Sequence, residues 1–233
     1  MDIRKFVSRA VFALVGPVLA AFLLTGCGGD GDDEDLSVPP AGTTATNETA
    51  DVAADVPADP NFPDGLHPTS EASQTIAKVF ARKIDPVAEA GGNQTNVVVC
   101  IGDSITERGY PPYLADETGL IVVNAGKGGE GSAGAASRAP GLLAQYHPAY
   151  LCILTGINDV SGGDASIETI VANVAAIVDA ANANHTIPIV GTLTPLSGSR
   201  QEWAADGAAC SELLRALAAQ TGTRLADVAA AFD

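Results

Sequence analysis

The feature that most constrains this fold is an apolar, β-branched run, residues 97–101, that ends abruptly in the polar sequence Gly-Asp-Ser-Ile-Thr. Such a run is typical of a strand buried in a parallel sheet. Ligands of open α/β sheets bind just beyond the carboxyl ends of the strands, so Ser104 is well placed to be a nucleophile. The alternative is an ordinary strand-to-helix turn in which Ser104 or Thr106 caps the next helix. This run alone leaves both interpretations open.

Strand-like and helix-like patterns alternate through the rest of the chain. A first helix is predicted after Thr69 or Ser70, from the helical spacing of apolar residues up to Ile84. Four further strands and four further helices are predicted at about 111–118 (helix), 120–123 (strand), 136–146 (helix), 150–154 (strand), 166–184 (helix), 187–193 (strand), 201–221 (helix) and 224–228 (strand). Five strands with intervening helices predict a parallel sheet covered on both faces.

Residues 1–26 have the pattern of an export signal. Basic residues precede an apolar stretch, 11–24, that is short for a membrane span. The sequence Leu-Thr-Gly then leads to Cys27, which resembles a bacterial lipoprotein signal, cut before the cysteine that carries lipid. A plain secretory signal with a chance cysteine is the alternative. We therefore expect a cell-envelope protein anchored to a membrane through Cys27, facing the periplasm or the cell surface.

The segment that follows, residues 27–60, is predicted to be a disordered acidic linker, and the globular domain is predicted to span 61–233. Gly, Asp, Thr, Ala and Pro dominate the linker, which cannot bury enough apolar surface to order itself. The whole chain has a formal net charge of −16. Because phosphate binding needs clustered Lys and Arg, which the chain lacks, no nucleic-acid partner is expected.

Polar residues follow three of the predicted strands. Ser104 follows the first, a glycine-rich loop at 124–132 follows the second, and Asn158 follows the third. The loop lacks the Gly-Lys-Ser/Thr ending of a nucleotide-binding P-loop. A serine, a glycine amide and an asparagine amide at one sheet edge are the parts of a nucleophile and an oxyanion hole.

A serine nucleophile needs a base, and the chain has three histidines. His147 and His185 precede predicted strands, so both belong to the opposite edge of the sheet. His67 remains, with Asp64 three residues before it, a spacing that lets a carboxylate orient an imidazole in a tight turn. The alternative is a turn that simply leads into the first helix.

Together these residues resemble the four signature blocks of the SGNH (GDSL-type) hydrolases. The blocks are Gly-Asp-Ser at 102–104, Asn-x-Gly-x-x-Gly at 124–129, Gly-x-Asn-Asp at 156–159 and Asp-x-x-His at 64–67. The resemblance implies a flavodoxin-like, three-layer α/β/α fold with a five-stranded parallel sheet. It also implies that Ser104 is the nucleophile, His67 the base and Asp64 the residue that orients it. The oxyanion donors would be the backbone N–H groups of Ser104 and Gly129 and the side chain of Asn158.

The order of the blocks departs from the family pattern. In the family the Asp-x-x-His block comes last, after the fifth strand, whereas here it precedes the serine block. This order has the form of a circular permutation, in which the family's final helix has moved to the front and residues 85–96 join the old ends. The hypothesis requires Asp64 to lie near the end of the fifth strand and His67 within reach of Ser104.

The resemblance implies a serine esterase that acts through an acyl-enzyme intermediate, without a metal or an organic cofactor. The pocket loops, which contain Arg108, Tyr110, Lys127, Leu196, Arg200 and Trp203, lack a long apolar lid. We therefore expect short acyl groups, such as acetyl esters of carbohydrates. A lysophospholipase or thioesterase, or a non-catalytic envelope lipoprotein, is the alternative.

The four cysteines give no metal-binding spacing. Cys100 and Cys152 lie in predicted core strands, where free cysteine behaves as a small apolar residue. Since the family pairs these two strands as neighbours, a disulfide between them is an open alternative.

Overall fold

A computed structural model describes residues 59–85 and 91–233 of the chain. The predicted signal peptide, Cys27 and nearly all of the predicted linker lie outside the described residues. The described part contains one five-stranded sheet in the order β2-β1-β3-β4-β5, with all four strand pairs parallel. The predicted α/β fold with a helix-covered parallel sheet is therefore confirmed.

The strands form where apolar residues cluster. The strand bounds are β1 (Gln94–Gly102), β2 (Ile121–Gly126), β3 (Pro148–Leu154), β4 (Ile187–Gly191) and β5 (Arg224–Ala226). Every residue of β3 and the last six of β1 are buried, as expected for strands covered on both faces.

Helices connect the strands and cover the sheet. Their bounds are α1 (Ser70–Ala81), α2 (Ser104–Arg108), α3 (Pro111–Thr118), α4 (Ser132–Tyr146), α5 (Ile157–Gly162), α6 (Ile167–Ala183) and α7 (Ala204–Thr221), with 3₁₀ turns at Gly198–Trp203 and Ala229–Ala231. Thr69 caps α1, as one of the two predicted caps. Among the described helices, none has the length and apolar character needed to cross a membrane.

Several sequence-based boundaries were wrong. The strand predicted at 120–123 extends to Gly126, because its last three residues pair with Cys100, Ile101 and Gly102 of β1. The last helix begins at Ala204, after a 3₁₀ turn, and the fifth strand ends at Ala226. The short helices α2 and α5 were not predicted, since a helix of five or six residues shows no periodicity in sequence.

The segment before α1 packs beside the segment that follows β5. The rings of Phe62 and Phe232 make an edge-to-face contact with centroids 5.0 Å apart, and Phe62 is fully buried. Asp59 N–H donates to Ser197 Oγ, in the loop after β4, at 3.2 Å. The segment that carries Asp64 and His67 therefore lies at the carboxyl edge of the sheet, beside the end of its last strand.

The two core cysteines lie side by side on the adjacent strands β1 and β3. Cys100 and Cys152 are register partners, so the two strands are neighbours as the family resemblance implied. Both are free, buried thiols. Burial, together with the adjacent Cys100, raises the pKa of the Cys152 thiol.

Candidate active site

Ser104 is the first residue of α2, directly after the end of β1. Asp103 caps this helix, because its Oδ1 accepts a hydrogen bond from the N–H of Ile105 at 2.9 Å. The alternative interpretation, in which Ser104 or Thr106 is the cap, was therefore wrong. Since Asp103 performs the capping, the Ser104 hydroxyl is left for another partner, and it lies 2.9 Å from Nε2 of His67.

His67 is in turn held by Asp64. Its Nδ1 lies 2.6 Å from Oδ2 of Asp64, and its backbone N–H donates to Oδ1 of the same carboxylate at 2.6 Å. An ionised carboxylate can only accept hydrogen bonds, so Nδ1 carries the proton of a neutral ring and Nε2 is free to accept one. The structure thus brings the three predicted residues into a continuous chain from Asp64 through His67 to Ser104.

The turn that carries Asp64 and His67 is clamped by the loop after β4. Ser197 N–H donates to the carbonyl of Gly65 at 3.3 Å, and Ser199 Oγ donates to the carbonyl of Asp64 at 3.2 Å. Gly65 has a φ of +80°, and a Cβ there would lie 2.1 Å from the Ser197 carbonyl oxygen. Only glycine meets both conditions, so Gly65 allows the loop to approach the turn closely.

Two carboxylates near Ser104 have opposite pKa shifts. Burial raises the pKa of Asp103 to about 7, against the Ile105 hydrogen bond and the charge of nearby His67. For Asp64, partial burial opposes ionisation, but hydrogen bonds from His67 and Leu66 outweigh it and lower the pKa to about 2. Asp64 therefore stays ionised at neutral pH and can stabilise a charged His67 ring.

Two of the three predicted oxyanion donors, Gly129 and Asn158, lie in the segments that follow β2 and β3, the neighbours of β1. The glycine-rich loop is tied to the end of β1 by the Lys127 N–H, which donates to the Gly102 carbonyl at 2.9 Å. Gly129 is exposed, with a φ of +75°, and its N–H has no hydrogen-bond acceptor among the described residues. Asn158 lies in the first turn of α5, and its Nδ2 donates to the Glu130 carbonyl at 3.0 Å.

A buried carboxylate beside Asn158 joins the same two loops a second time. Asp159 accepts hydrogen bonds from the N–H of Ser132 at 2.7 Å and from its Oγ at 3.1 Å, at the start of α4. Asn173 of α6 then donates to Ser132 Oγ at 2.9 Å. The loops after β2 and β3 are therefore fastened together by buried hydrogen bonds.

Two of the residues expected to line a pocket do not do so. Tyr110 is fully buried and stacks on Phe80, with centroids 5.0 Å apart, and Leu196 is also buried. Arg108 and Lys127 are exposed, whereas Arg200 and Trp203 are half-buried and contact each other through a cation–π interaction. Within ranges 59–85 and 91–233, no cluster of three or more His, Cys, Asp or Glu residues could hold a metal ion.

The two histidines set aside on sequence grounds lie away from Ser104. His147 follows α4 and directly precedes β3, and His185 lies in the turn before β4. Both have positive φ values, 42° and 57°. Both therefore belong to the amino edge of the sheet, as predicted.

Four polar residues around the site were not singled out from sequence: Asp103, Glu130, Arg138 and Asp159. Asp103 could have been recognised, since aspartate directly before a helix is a common cap. The other three take part in hydrogen bonds between residues 8 to 28 positions apart in the sequence, and no local sequence pattern predicts such contacts.

Comparison with protein families identifies one match. The model of the GDSL-like lipase/acylhydrolase family matches residues 100–233, which is more than half of the chain. No curated protein matches the chain.

Several solved structures resemble this chain at low sequence identity. A protein from Bacteroides fragilis that is described as an acylhydrolase is 22% identical, with a TM-score of 0.50 over 63% of this chain and 73% of its own. A protein from Desulfitobacterium hafniense assigned to the lipolytic G-D-S-L family is 26% identical, with a TM-score of 0.49 over 56% of this chain and 75% of its own. A GDSL-like lipase from Bacteroides thetaiotaomicron is 19% identical, with a TM-score of 0.49 over 66% and 77%.

Proposed function

Since this chain belongs to the GDSL-like lipase/acylhydrolase family, we propose that it is a serine esterase in which Ser104, His67 and Asp64 form a catalytic triad. The proposal rests on a continuous chain of hydrogen bonds between the three side chains. The distance is 2.9 Å from Ser104 Oγ to His67 Nε2 and 2.6 Å from His67 Nδ1 to Asp64 Oδ2. This is the geometry that a general base needs to accept the proton of a hydroxyl nucleophile.

Acylation begins when Ser104 Oγ attacks the ester carbonyl carbon and its proton passes to Nε2 of His67. The carbonyl oxygen becomes negatively charged and accepts hydrogen bonds from the N–H groups of Ser104 and Gly129 and from Asn158 Nδ2. The Asp64 carboxylate stabilises the imidazolium. The tetrahedral intermediate then collapses, the alcohol leaves with the proton from His67, and the acyl group remains on Ser104.

Deacylation repeats these steps with water. His67 accepts a proton from water as the hydroxide attacks the acyl carbon, and the same three donors hold the new oxyanion. Collapse releases the carboxylic acid and returns the proton to Ser104 Oγ. Every proton passes through His67, and the cycle uses no group from outside the chain except water.

The proposed substrates are esters of short acyl groups, with acetyl esters of carbohydrates as an example. Support comes from the polar residues of the loops around the site. Exposed Lys127 lies within the glycine-rich loop, exposed Arg108 lies close to Gly128 of that loop, and Arg200 packs beside Gly65. An extended acyl chain would need a large apolar surface to be bound well.

The circular permutation is proposed for the same reason as the triad. It is supported by the contact of His67 with Ser104 and by the packing of Phe62, in the segment before α1, against Phe232 beyond β5. The family match also begins at Cys100, four residues before Ser104. We further propose, from sequence alone, that Cys27 carries a lipid anchor in the bacterial cell envelope.

The direct test measures hydrolysis of aryl esters from acetate to decanoate by the wild type and by Ser104→Ala. We expect turnover to be fastest with the short esters and to fall roughly 10⁴-fold or more in the variant, because the nucleophile is lost. Full activity of Ser104→Ala would refute the triad. A rate that rises with chain length would favour a lysophospholipase or thioesterase, and no Ser104-dependent hydrolysis of any ester would favour a non-catalytic lipoprotein.

A further inference from the structure

The most completely bonded ion pair near the site is one that the proposed mechanism does not use. Arg138, on α4, binds the Glu130 carboxylate through Nε, 3.0 Å from each oxygen, and through Nη2, 2.6 Å from Oε2. The Glu130 side chain is only 7% exposed and that of Arg138 28%. An ion pair withdrawn from water to this degree is costly unless its geometry is good, and here it is.

The Glu130–Arg138 ion pair contacts residues on both sides of the glycine-rich loop, in β2 and in α4. Nη2 of Arg138 also donates to the Ala125 carbonyl, in β2, at 3.0 Å. Gly134 leaves room for the carboxylate, since a Cβ there would lie 2.6 Å from Glu130 Cγ. Arg138 therefore links Ala125, near the end of β2, to Glu130, further along the glycine-rich loop. Gly129 lies between these two residues.

The same residue, Glu130, orients the predicted side-chain donor of the oxyanion hole. Its carbonyl accepts one N–H of Asn158 Nδ2 at 3.0 Å. An amide nitrogen has two N–H groups in one plane, so fixing the direction of the first also fixes that of the second. The position of the Glu130 backbone thus determines where the second N–H of Asn158 points.

We propose that Arg138, acting through Glu130, is a positioning residue that holds the Gly129 N–H and the Asn158 amide in place as oxyanion donors. This inference rests on the proposed function. Arg138 itself hydrogen-bonds Glu130 and the Ala125 carbonyl, and acts on the donors through them. Its loss would leave the buried Glu130 carboxylate with only the exposed Lys127 ammonium, whose Nζ lies 3.6 Å from Oε1. The loop would then move to expose the carboxylate to water, carrying both donors with it.

The test compares Arg138→Met with a matched control, Arg215→Met. Arg215 is 27% exposed and binds Asp227 through two hydrogen bonds of 2.8 and 2.9 Å, remote from the glycine-rich loop. Both variants lose a partly buried arginine–carboxylate pair, so a general loss of stability affects both. We expect kcat to fall about 10- to 100-fold in Arg138→Met only, since a misplaced donor costs up to the effect of a missing one.

The diagnostic readout is the preference for an aryl ester over its thiono analogue, in which sulfur replaces the carbonyl oxygen. Sulfur accepts hydrogen bonds weakly, so the wild type should prefer the oxygen ester strongly. That preference should fall about 10-fold or more in Arg138→Met, fall less in Arg138→Lys and stay unchanged in Arg215→Met. An unchanged preference in folded Arg138→Met would overturn the proposal. If that variant does not fold, Glu130→Gln/Arg138→Met removes both charges and is used instead.

A second readout does not depend on activity. In ¹⁵N NMR spectra, the side-chain NH₂ signals of Asn158 should shift and exchange faster in Arg138→Met than in the wild type or in Arg215→Met. Unchanged Asn158 signals would overturn the positioning role. If these signals respond but no variant or wild-type protein hydrolyses esters, the proposed function fails, and only the structural part of the inference stands, that Arg138 fixes the Asn158 amide.

Discussion

The two sides of the candidate active site are held in place differently. His67 and Asp64 lie on a turn at the surface, with side chains 36% and 55% exposed, and are fastened by hydrogen bonds to a neighbouring loop. Ser104 and Asp103 are 5% and 1% exposed and belong to the junction of β1 with α2. The base side, His67 and Asp64, is thus a surface turn attached to the domain. The nucleophile side, Ser104 and Asp103, is part of its core.

This difference has a consequence for how the chain can be arranged. Only side-chain and backbone contacts hold the turn that carries Asp64 and His67. Such a turn can therefore reach the carboxyl edge of the sheet whether it precedes or follows the strands in sequence. The strand, helix and loops around Ser104 are fixed by the sheet register and cannot be moved separately. The comparison therefore predicts that changes on the base side affect activity more than stability, and that changes on the nucleophile side affect both.

The largest effect is expected for His67→Ala. Removing the base should lower kcat about 10⁴-fold, as in other triads. The melting temperature should change little, because an imidazole that is 36% exposed contributes little buried surface. Ester hydrolysis and thermal unfolding measure the two quantities. His185→Asn, on the amino edge, is the control, and near-normal activity of His67→Ala would contradict the comparison.

Asn158→Ala is expected to lower kcat about 10²–10³-fold, the effect of losing one oxyanion donor. It should also lower stability, since the hydrogen bond from Nδ2 to the Glu130 carbonyl is lost, which costs about 1 kcal/mol. Kinetics and urea unfolding of the same samples check both effects. A loss of stability with normal kcat would mean that Asn158 only joins the two loops.

Asp103→Asn tests the core side through pH. The pKa of Asp103 is raised from its ordinary value of 3.8 to about 7, so the folded state holds the proton more tightly than the unfolded state. This group therefore stabilises the fold fully below pH 3.8 and less as the pH rises through 7. The neutral asparagine has no such loss, so the variant should gain stability relative to the wild type between pH 4 and 8.

The expected relative gain is at most about 4 kcal/mol, from about 1.36 kcal/mol per pKa unit. Asp64 does not obscure the result, because its pKa of about 2 makes its stabilising contribution decline only below about pH 4. Urea unfolding of both proteins at several pH values measures the difference. Parallel stability curves for the two proteins would show that Asp103 does not titrate in this range.

The smallest effect is expected on the base side, for Gly65→Ala compared with Gly119→Ala. Both glycines have positive φ, so Gly119→Ala should cost about 1–2 kcal/mol of stability and Gly65→Ala at least as much. Only at Gly65 would the new Cβ meet another group, the Ser197 carbonyl, and displace the turn. We expect kcat to fall about 10-fold in Gly65→Ala and to stay unchanged in Gly119→Ala. Equal kcat values would show that the turn tolerates displacement.

The sequence predicted the sheet better than its connections. Apolar runs at β1, β3 and β4 are visible locally, and Pro111 and Gly119 set the limits of α3. The end of β2 was missed because Asn124 and Gly126 have low strand propensity and are strand residues only through pairing with β1. The short helices α2 and α5 depend on contacts at the site rather than on periodicity.

Within the candidate site, residues with distinctive chemistry could be selected from sequence, and those that orient them could not. Ser104 and Asn158 follow apolar runs, and His67 remained after two histidines were assigned to the other edge. Glu130 and Arg138 have no such signal, since charged residues on loops and helices are usually solvated. Only the folded structure brings their side chains together.

The most direct test of the central claim is labelling by a fluorophosphonate that reacts with activated serines, followed by peptide mapping. We expect a single adduct, on Ser104, that forms at least about 100-fold more slowly in His67→Ala, because the hydroxyl is then no longer activated. An adduct on a different serine, or an equal labelling rate in His67→Ala, would contradict the claim that a base located upstream in the chain activates Ser104.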